Sequence, residues 1–270
     1  MKKTRKKVGL ALGSGGIRGM VHVGVVKTLV KHNIPIDYIA GSSIGAWVGA
    51  HYALYQDIDK LAAETIGKRK EKLQAFFEPT FRGGLVKGEK VEKLLTIFFN
   101  DKTFADVHVP LGVVATDFIE GKQVIFTEGK LAPAVRASMA VPTIFRPVVY
   151  AGKTLVDGGV TNPVPDDIVR GMGADIVISI TLNNLPSSAD VGKIETTLTN
   201  VTSRSFEIMR HALTRYSLSS SDVIIEPYLP YTGLSSWRRY FTQEIGTKII
   251  KIGAEETERA MPRIEALLRA

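Results

Sequence analysis

Gly41-Ser42-Ser43-Ile44-Gly45 places a serine between two glycines, after the apolar run Tyr38-Ile39-Ala40 and before a helical pattern. This is the spacing of a nucleophile elbow, where a tight strand-to-helix bend exposes a serine hydroxyl at the end of a sheet. Glycines at both flanks let the bend close, because neither brings a Cβ into it. Ser43 is the candidate nucleophile, with its hydroxyl near the positive end of the following helix. Gly and Ser are also ordinary turn formers, so the motif means catalysis only with its partners. A nucleophilic serine needs a base for its proton, donors for an oxyanion and a pocket for the acyl group.

The five histidines are His22, His32, His51, His108 and His211. In an α/β-hydrolase the order is Ser, then Asp or Glu, then a late His. Only His211 is late enough, and it falls inside an amphipathic helical pattern beside Met209, Ala212 and Leu213. The histidines therefore read as surface or structural residues. A carboxylate is the other source of a base. Asp157-Gly158-Gly159 follows the short apolar run Thr154-Leu155-Val156 and precedes a loop bounded by Pro163 and Pro165. An aspartate there is ordinarily a cap or turn former; beside an elbow serine and a donor loop it gains a chemical reading.

Gly15-Gly16-Ile17-Arg18-Gly19 can be that donor loop. Successive glycine N–H groups at a helix start form an anion-binding concavity, for an oxyanion or for a phosphate. A Walker loop needs Gly-Lys-Ser/Thr, which is missing. A dinucleotide loop needs a third glycine where Arg18 stands, and an acidic residue near the end of the second strand; Asp37 stands at its start. The oxyanion reading is the better match.

Elements that could position these residues follow in order. Residues 8–12 are a continuous apolar run, suited to a buried strand. Val21, Val25, Leu29 and Val30 share one helix face, ended by Asn33 and Pro35. The second strand, the Ser43 elbow and a helix carrying Ala46, Trp47, Ala50, Ala53 and Leu54 complete a βαβ rhythm, which predicts a mostly parallel sheet covered by helices. Later helices are predicted over 58–72, after Gly88 (Val91, Leu94, Leu95, Phe98 and Phe99), over 130–139 and after Pro165. The aromatics after Gly88 read as core rather than as a cap over a pocket. Further strands are predicted over 111–116, 123–127 (a hairpin with the former), 175–181 and 223–226. Between the last two, Ile194, Leu198, Val201, Ile208, Ala212 and Tyr216 form one stripe of a long helix. A final helix starts near Thr242, with Pro262 breaking it or opening a last short one. The polar connector 183–190 is too short to separate two cores, so residues 1–270 are expected to form one domain.

Composition supports this and removes other classes. The 270 residues are 44% hydrophobic and 23% charged, which suits a globular α/β chain. There is no cysteine, so disulfides, thiolate metal sites and cysteine nucleophiles are excluded. The net charge is +8, and Lys2, Lys3, Arg5, Lys6 and Lys7 supply five of these charges. Residues 1–7 read as a solvated basic tail; the alternative is attraction to an anionic membrane or to acidic headgroups. Nucleic-acid binding is the weaker option, since there is no basic–aromatic interleaving and no known module. The apolar run behind the basic tail has five residues before Gly13 breaks it, too few for a signal peptide. No stretch approaches the roughly 18–20 apolar residues of a membrane span. The expectation is a cytoplasmic protein, with peripheral membrane contact through the tail or through Tyr231, Trp237, Arg238, Arg239, Tyr240 and Phe241 as a further option.

Gly15-Gly16-Ile17-Arg18-Gly19, Gly41-Ser42-Ser43-Ile44-Gly45 and Asp157-Gly158-Gly159, in this order, resemble the patatin-like phospholipase family. Ala137-Ser138-Met139-Ala140-Val141-Pro142, with Phe145 and Pro147, resembles the family's stretch before its Asp-Gly-Gly. The likeness covers about residues 8–180. One departure is Ser14, where the family's loop often begins with a further glycine. The resemblance implies a three-layer α/β fold with a mostly parallel central sheet. It implies a Ser–Asp dyad hydrolase of lipid acyl esters, working without metal or cofactor. Carried over by residue, Ser43 is the nucleophile and Asp157 the base, with the N–H groups of Gly15, Gly16 and Arg18 as oxyanion donors. A regulatory or interaction protein on the same fold, with little hydrolase activity, is the alternative.

Overall fold

A computed structural model describes residues 5–65, 86–185, 197–229 and 243–270. Their elements are β1 (Val8–Leu12), α1 (Met20–Lys31), β2 (Tyr38–Ser42), α2 (Ile44–Tyr55), α3 (Ile58–Thr65), α4 (Glu89–Phe99), β3 (Leu111–Asp117), β4 (Lys122–Phe126), α5 (Leu131–Ser138), β5 (Val148–Tyr150), β6 (Lys153–Asp157), α6 (Asp166–Gly171), β7 (Ile176–Ile180), α7 (Leu198–Ser217), β8 (Val223–Ile225) and α8 (Gln243–Arg269). All eight strands join one sheet. Its centre is the parallel run β3-β2-β1-β7-β8, and β4, β6 and β5 are antiparallel additions at the β3 side.

Strand residues alternate between two apolar clusters, as a period of two requires. Leu10, Leu12, Ile39, Val113, Ile176, Ile178 and Ile180 join the larger cluster, with residues of α1, α2, α5 and α8. Ala11, Ala40, Val114 and Val177 join the smaller one, with Ile168 and Val169 of α6. Both faces are covered, so the central strands read as unbroken apolar runs. The result is the helix–sheet–helix arrangement that the sequence predicts.

Two expectations change, at Pro262 and in the basic tail, and two further elements are filled in. The helix over 58–72 is described only as Ile58–Thr65, and its remainder lies outside the described residues. The α7 stripe faces outward: Leu198 is 85% and Tyr216 80% exposed, with Val201, Ile208 and Met209 also exposed. Pro262 neither breaks α8 nor starts a new helix. Buried Met261 and Ile264 hold the helix on both sides of it, and Glu258 one turn earlier bonds Lys31 (3.1 Å) and His32 (2.9 Å) at the end of α1. Tertiary packing there outweighs the backbone bond that proline forfeits. The basic tail is partly docked: Arg5 forks onto Asp37 with two 2.6 Å bonds, Lys7 reaches the same carboxylate at 3.2 Å, and Lys6 bonds the Leu267 carbonyl. Burial works against the Asp37 charge, but these donors and the Val8 N–H prevail and hold its pKa near 2.

Sheet register explains how residues 114 positions apart meet. β2 lies along the first half of β3, with Ser42 opposite Val114. β6 arrives from the other direction along the second half, with Asp157 opposite Ala115. β4 covers the other edge of β3 through both halves, so β2 and β6 share one edge and meet end to end. The residue leaving β2 and the last residue of β6 are brought together there.

Candidate active site

Ser43 caps α2 at φ 56° and ψ −122°, a strained position for a residue with a side chain. Gly45 makes the bend feasible: a Cβ there would sit 2.1 Å from the Leu12 carbonyl oxygen at the end of β1. The Ser43 N–H donates to Ser138 Oγ at 2.8 Å, and Ser138 is fully buried at the end of α5. Ser138 stood in the sequence only as part of a resemblance; its contact with the elbow emerges from the fold. Ser138→Ala leaves this buried N–H without an acceptor, which costs about 1–3 kcal/mol. The expected result is a lower urea midpoint at an unchanged slope.

Ser43 Oγ donates to Asp157 Oδ2 at 2.5 Å. Asp157 Oδ1 accepts from the Gly159 N–H at 2.8 Å, so Gly158 and Gly159 form the turn that fixes the carboxylate. The Asp157 backbone is held as well: its N–H donates to the Ala140 carbonyl, and its carbonyl accepts from Thr116 Oγ1. Burial raises the Asp157 pKa to about 6, against the opposing pull of the Ser43 and Gly159 hydrogen bonds and the Arg210 charge. Asp157 is thus a stronger base than an ordinary carboxylate and is still ionised at neutral pH.

The glycine loop runs from β1 into a short 3-10 turn, Gly16–Gly19. Gly16 has φ 57°, which aims successive N–H groups out of the turn. The N–H groups of Gly15 and Gly16 meet no acceptor among the described residues. Arg18 departs from expectation, because its N–H bonds the Gly15 carbonyl at 3.3 Å as the 3-10 turn closes. A free donor that sequence reasoning missed is the Ile44 N–H, in the first turn of α2, where N–H groups lack helical acceptors. Gly19 leaves room for the Ile44 side chain, and Gly41 lets β2 pass close to Ala46.

His22 supports the loop from beneath. It is fully buried, and Nε2 lies 2.8 Å from the Gly13 carbonyl. Desolvation pushes its pKa down to about 4, despite the opposing Gly13 bond, so the ring is neutral and Nε2 carries the proton. Ser14 fits without the extra glycine. Its N–H donates to the Pro163 carbonyl at 2.7 Å, and its hydroxyl accepts from Asn183 Nδ2 at 3.4 Å. His211 does not bond the serine hydroxyl, whose partner is Asp157; its Nδ1 lies 2.7 Å from the Asn183 carbonyl. The 231–241 cluster lies outside the described residues. No helix among the described residues is long and apolar enough to cross a membrane.

Comparison with known proteins adds the family. An "Uncharacterized NTE family protein" of Mycobacterium tuberculosis (strain ATCC 25618 / H37Rv) is 35% identical over 178 residues, 66% of this chain and 49% of its own. "Patatin-like phospholipase domain-containing protein 7" of Rattus norvegicus is 32% identical over 204 residues, 73% of this chain but 14% of its own. The chain thus spans about half the length of the mycobacterial relative and far less of the mammalian one. Among solved structures, VipD from Legionella pneumophila superposes with a TM-score of 0.54 at 15% identity, over 98% of this chain and 67% of that one, a likeness of fold. The model of the Patatin family, "Patatin-like phospholipase", matches residues 10–169, which include the glycine loop, the serine elbow and Asp157; the chain belongs to the patatin-like phospholipase family.

Proposed function

We propose that this protein is a serine hydrolase of lipid carboxylic esters, working through a Ser43–Asp157 dyad within a single patatin-like domain. The observation that carries the reading is the 2.5 Å hydrogen bond from Ser43 Oγ to a buried, raised-pKa Asp157. Ser43 Oγ attacks the ester carbonyl carbon while its proton passes to Asp157 Oδ2. The tetrahedral oxyanion settles on the N–H groups of Gly15 and Gly16, with Ile44 as a further donor. On collapse, Asp157 returns the proton to the leaving alcohol and an acyl-serine remains. Asp157 then takes a proton from water, which attacks the acyl-serine; on collapse that proton passes to Ser43 Oγ as the acid leaves, which restores the dyad. Family membership supports a lipid substrate. The test is fluorophosphonate labelling with peptide mapping: one adduct on Ser43 is expected, and an unlabelled protein that leaves a broad ester panel intact favours the regulatory alternative.

Peripheral contact with a lipid surface is the second part of the reading. It is favoured by the outward apolar stripe of α7, in a family defined by lipid substrates. Arg5 and Lys7 are already committed to Asp37, so the tail contributes less charge than its composition suggests. Liposome flotation should fall severalfold in a Leu198→Ser/Ile208→Ser/Met209→Ser protein and change little on deletion of residues 1–4. Equal flotation of the triple variant removes this part.

A further inference from the structure

The inward face of α7 carries an arginine that the dyad chemistry does not use. Arg210 lies on the side of the helix opposite its exposed stripe. Thr214, which shares its face one turn on, fixes that side against the site. It accepts from Asn183 Nδ2 at 3.0 Å, and the same amide group bonds Ser14, the residue before the Gly15 donor. Thr214 Oγ1 in turn donates to the Arg210 carbonyl at 2.8 Å. The guanidinium lies within charge range of Asp157 and of Glu207. Glu207 is hydrogen-bonded to Arg204 at 3.0 Å instead. Arg210 Nε is fully buried without an acceptor, and the guanidinium makes no hydrogen bond or ion pair among the described residues.

An arginine has five N–H donors in a planar fork, and it always carries its charge. Leaving Nε buried and unmet is unfavourable unless a ligand completes the site, and the side chain as a whole is only half-buried, so a ligand can reach the terminal N–H groups of the fork. The field at Asp157 accounts for part of its presence, since it favours the carboxylate. A field needs only a charge nearby, however, and leaves the fork unfilled. Phosphate oxygens match that fork with two parallel, charge-assisted bonds.

We propose that Arg210 is a specificity-determining residue that binds the phosphate of a phospholipid substrate while its ester carbonyl sits at Ser43. This deepens the hydrolase reading and rests on it. The shared ligand chemistry is a phosphate group, from a lipid headgroup or from free phosphate. A substrate without phosphate leaves Arg210 unfilled, and the field at Asp157 acts on every ester alike. The ratio of activities on phosphate-bearing and neutral lipids therefore isolates the binding role.

The test compares kcat/KM for a lysophospholipid and for a monoacylglycerol of the same chain, in wild type, Arg210→Gln and Arg210→Lys. The lysophospholipid-to-monoacylglycerol ratio should fall roughly 10- to 100-fold in Arg210→Gln, the scale of a lost charged hydrogen-bond pair, mainly through KM. Arg210→Lys should fall between, since it keeps the charge but not the fork. An unchanged ratio in both variants, with wild-type melting temperatures, overturns the proposal. Calorimetry on the Ser43→Ala protein, which needs no turnover, supplies the second arm. Glycerol 3-phosphate should bind, and adding Arg210→Gln should abolish that binding. Binding that survives Arg210→Gln overturns the proposal. Inorganic phosphate bound as tightly as glycerol 3-phosphate assigns the site to free phosphate and overturns the lipid reading. Arg210-dependent binding of glycerol 3-phosphate by a protein that hydrolyses no ester would sink the hydrolase reading and leave the phosphate site standing.

Discussion

Ser43→Ala should lower turnover of medium-chain p-nitrophenyl esters by about ten-thousand-fold or more, the scale seen when a serine hydrolase loses its nucleophile. Hydrolysis then requires water to attack directly, aided only by the Gly15 and Gly16 donors. The fold should survive, because the bond that secures the elbow runs from the Ser43 backbone N–H to Ser138 and does not need the hydroxyl. Alanine is no easier to hold at φ 56° than serine, so the strain stays. Ser43→Gly relieves it and should melt higher than Ser43→Ala while remaining as inactive. A Ser43→Ala protein with wild-type ester turnover would remove the proposed mechanism outright.

Much of this site is legible in the sequence, for physical reasons that differ by residue. The elbow is local chemistry: a serine forced into a tight bend needs Gly45 where the Leu12 carbonyl approaches, so the motif carries its own geometry. Asp157 could be singled out by its two glycines, but its meeting with Ser43 rests on β2 and β6 sharing one edge of β3. That register has no local signature. Ser138 and Arg210 are harder still. Ser138 acts through one hydroxyl at a helix end, and Arg210 lies on a helix whose apolar stripe drew attention to the opposite face. The stripe does not locate Arg210, because period alone marks a face without saying whether protein or solvent covers it. The Arg18 N–H was expected to be free, and closure of the 3-10 turn engages it. Pro262 reads as a boundary on propensity alone, and packing against α1 overrides it.

Asp157→Asn should move activity and stability in opposite directions. Loss of the base should slow ester turnover by roughly a hundred- to ten-thousand-fold. Stability follows from the raised pKa. Burial lifts Asp157 from 3.8 to about 6, so the folded protein holds its proton more tightly than the unfolded chain does. The stability from that proton is fully present below pH 3.8 and is lost as pH rises through 6. At pH 8 the protein carries a desolvated charge that the unfolded chain would keep in water, a penalty of up to about 3 kcal/mol. Asparagine has no such charge, and its carbonyl can still accept from the Gly159 N–H. Asp157→Asn should therefore be more stable than wild type at pH 8, by about 1–3 kcal/mol, with the gain vanishing near pH 4. Urea unfolding of both proteins at pH 4, 6 and 8 reads this directly. Wild-type kcat/KM should rise with pH and level off above about 6, as Asp157 becomes the free base. A stability difference that does not change between pH 4 and 8 would mean that Asp157 titrates like an exposed carboxylate. The basicity assigned to it in the dyad would then be lost, and the oxyanion donors would have to carry more of the rate.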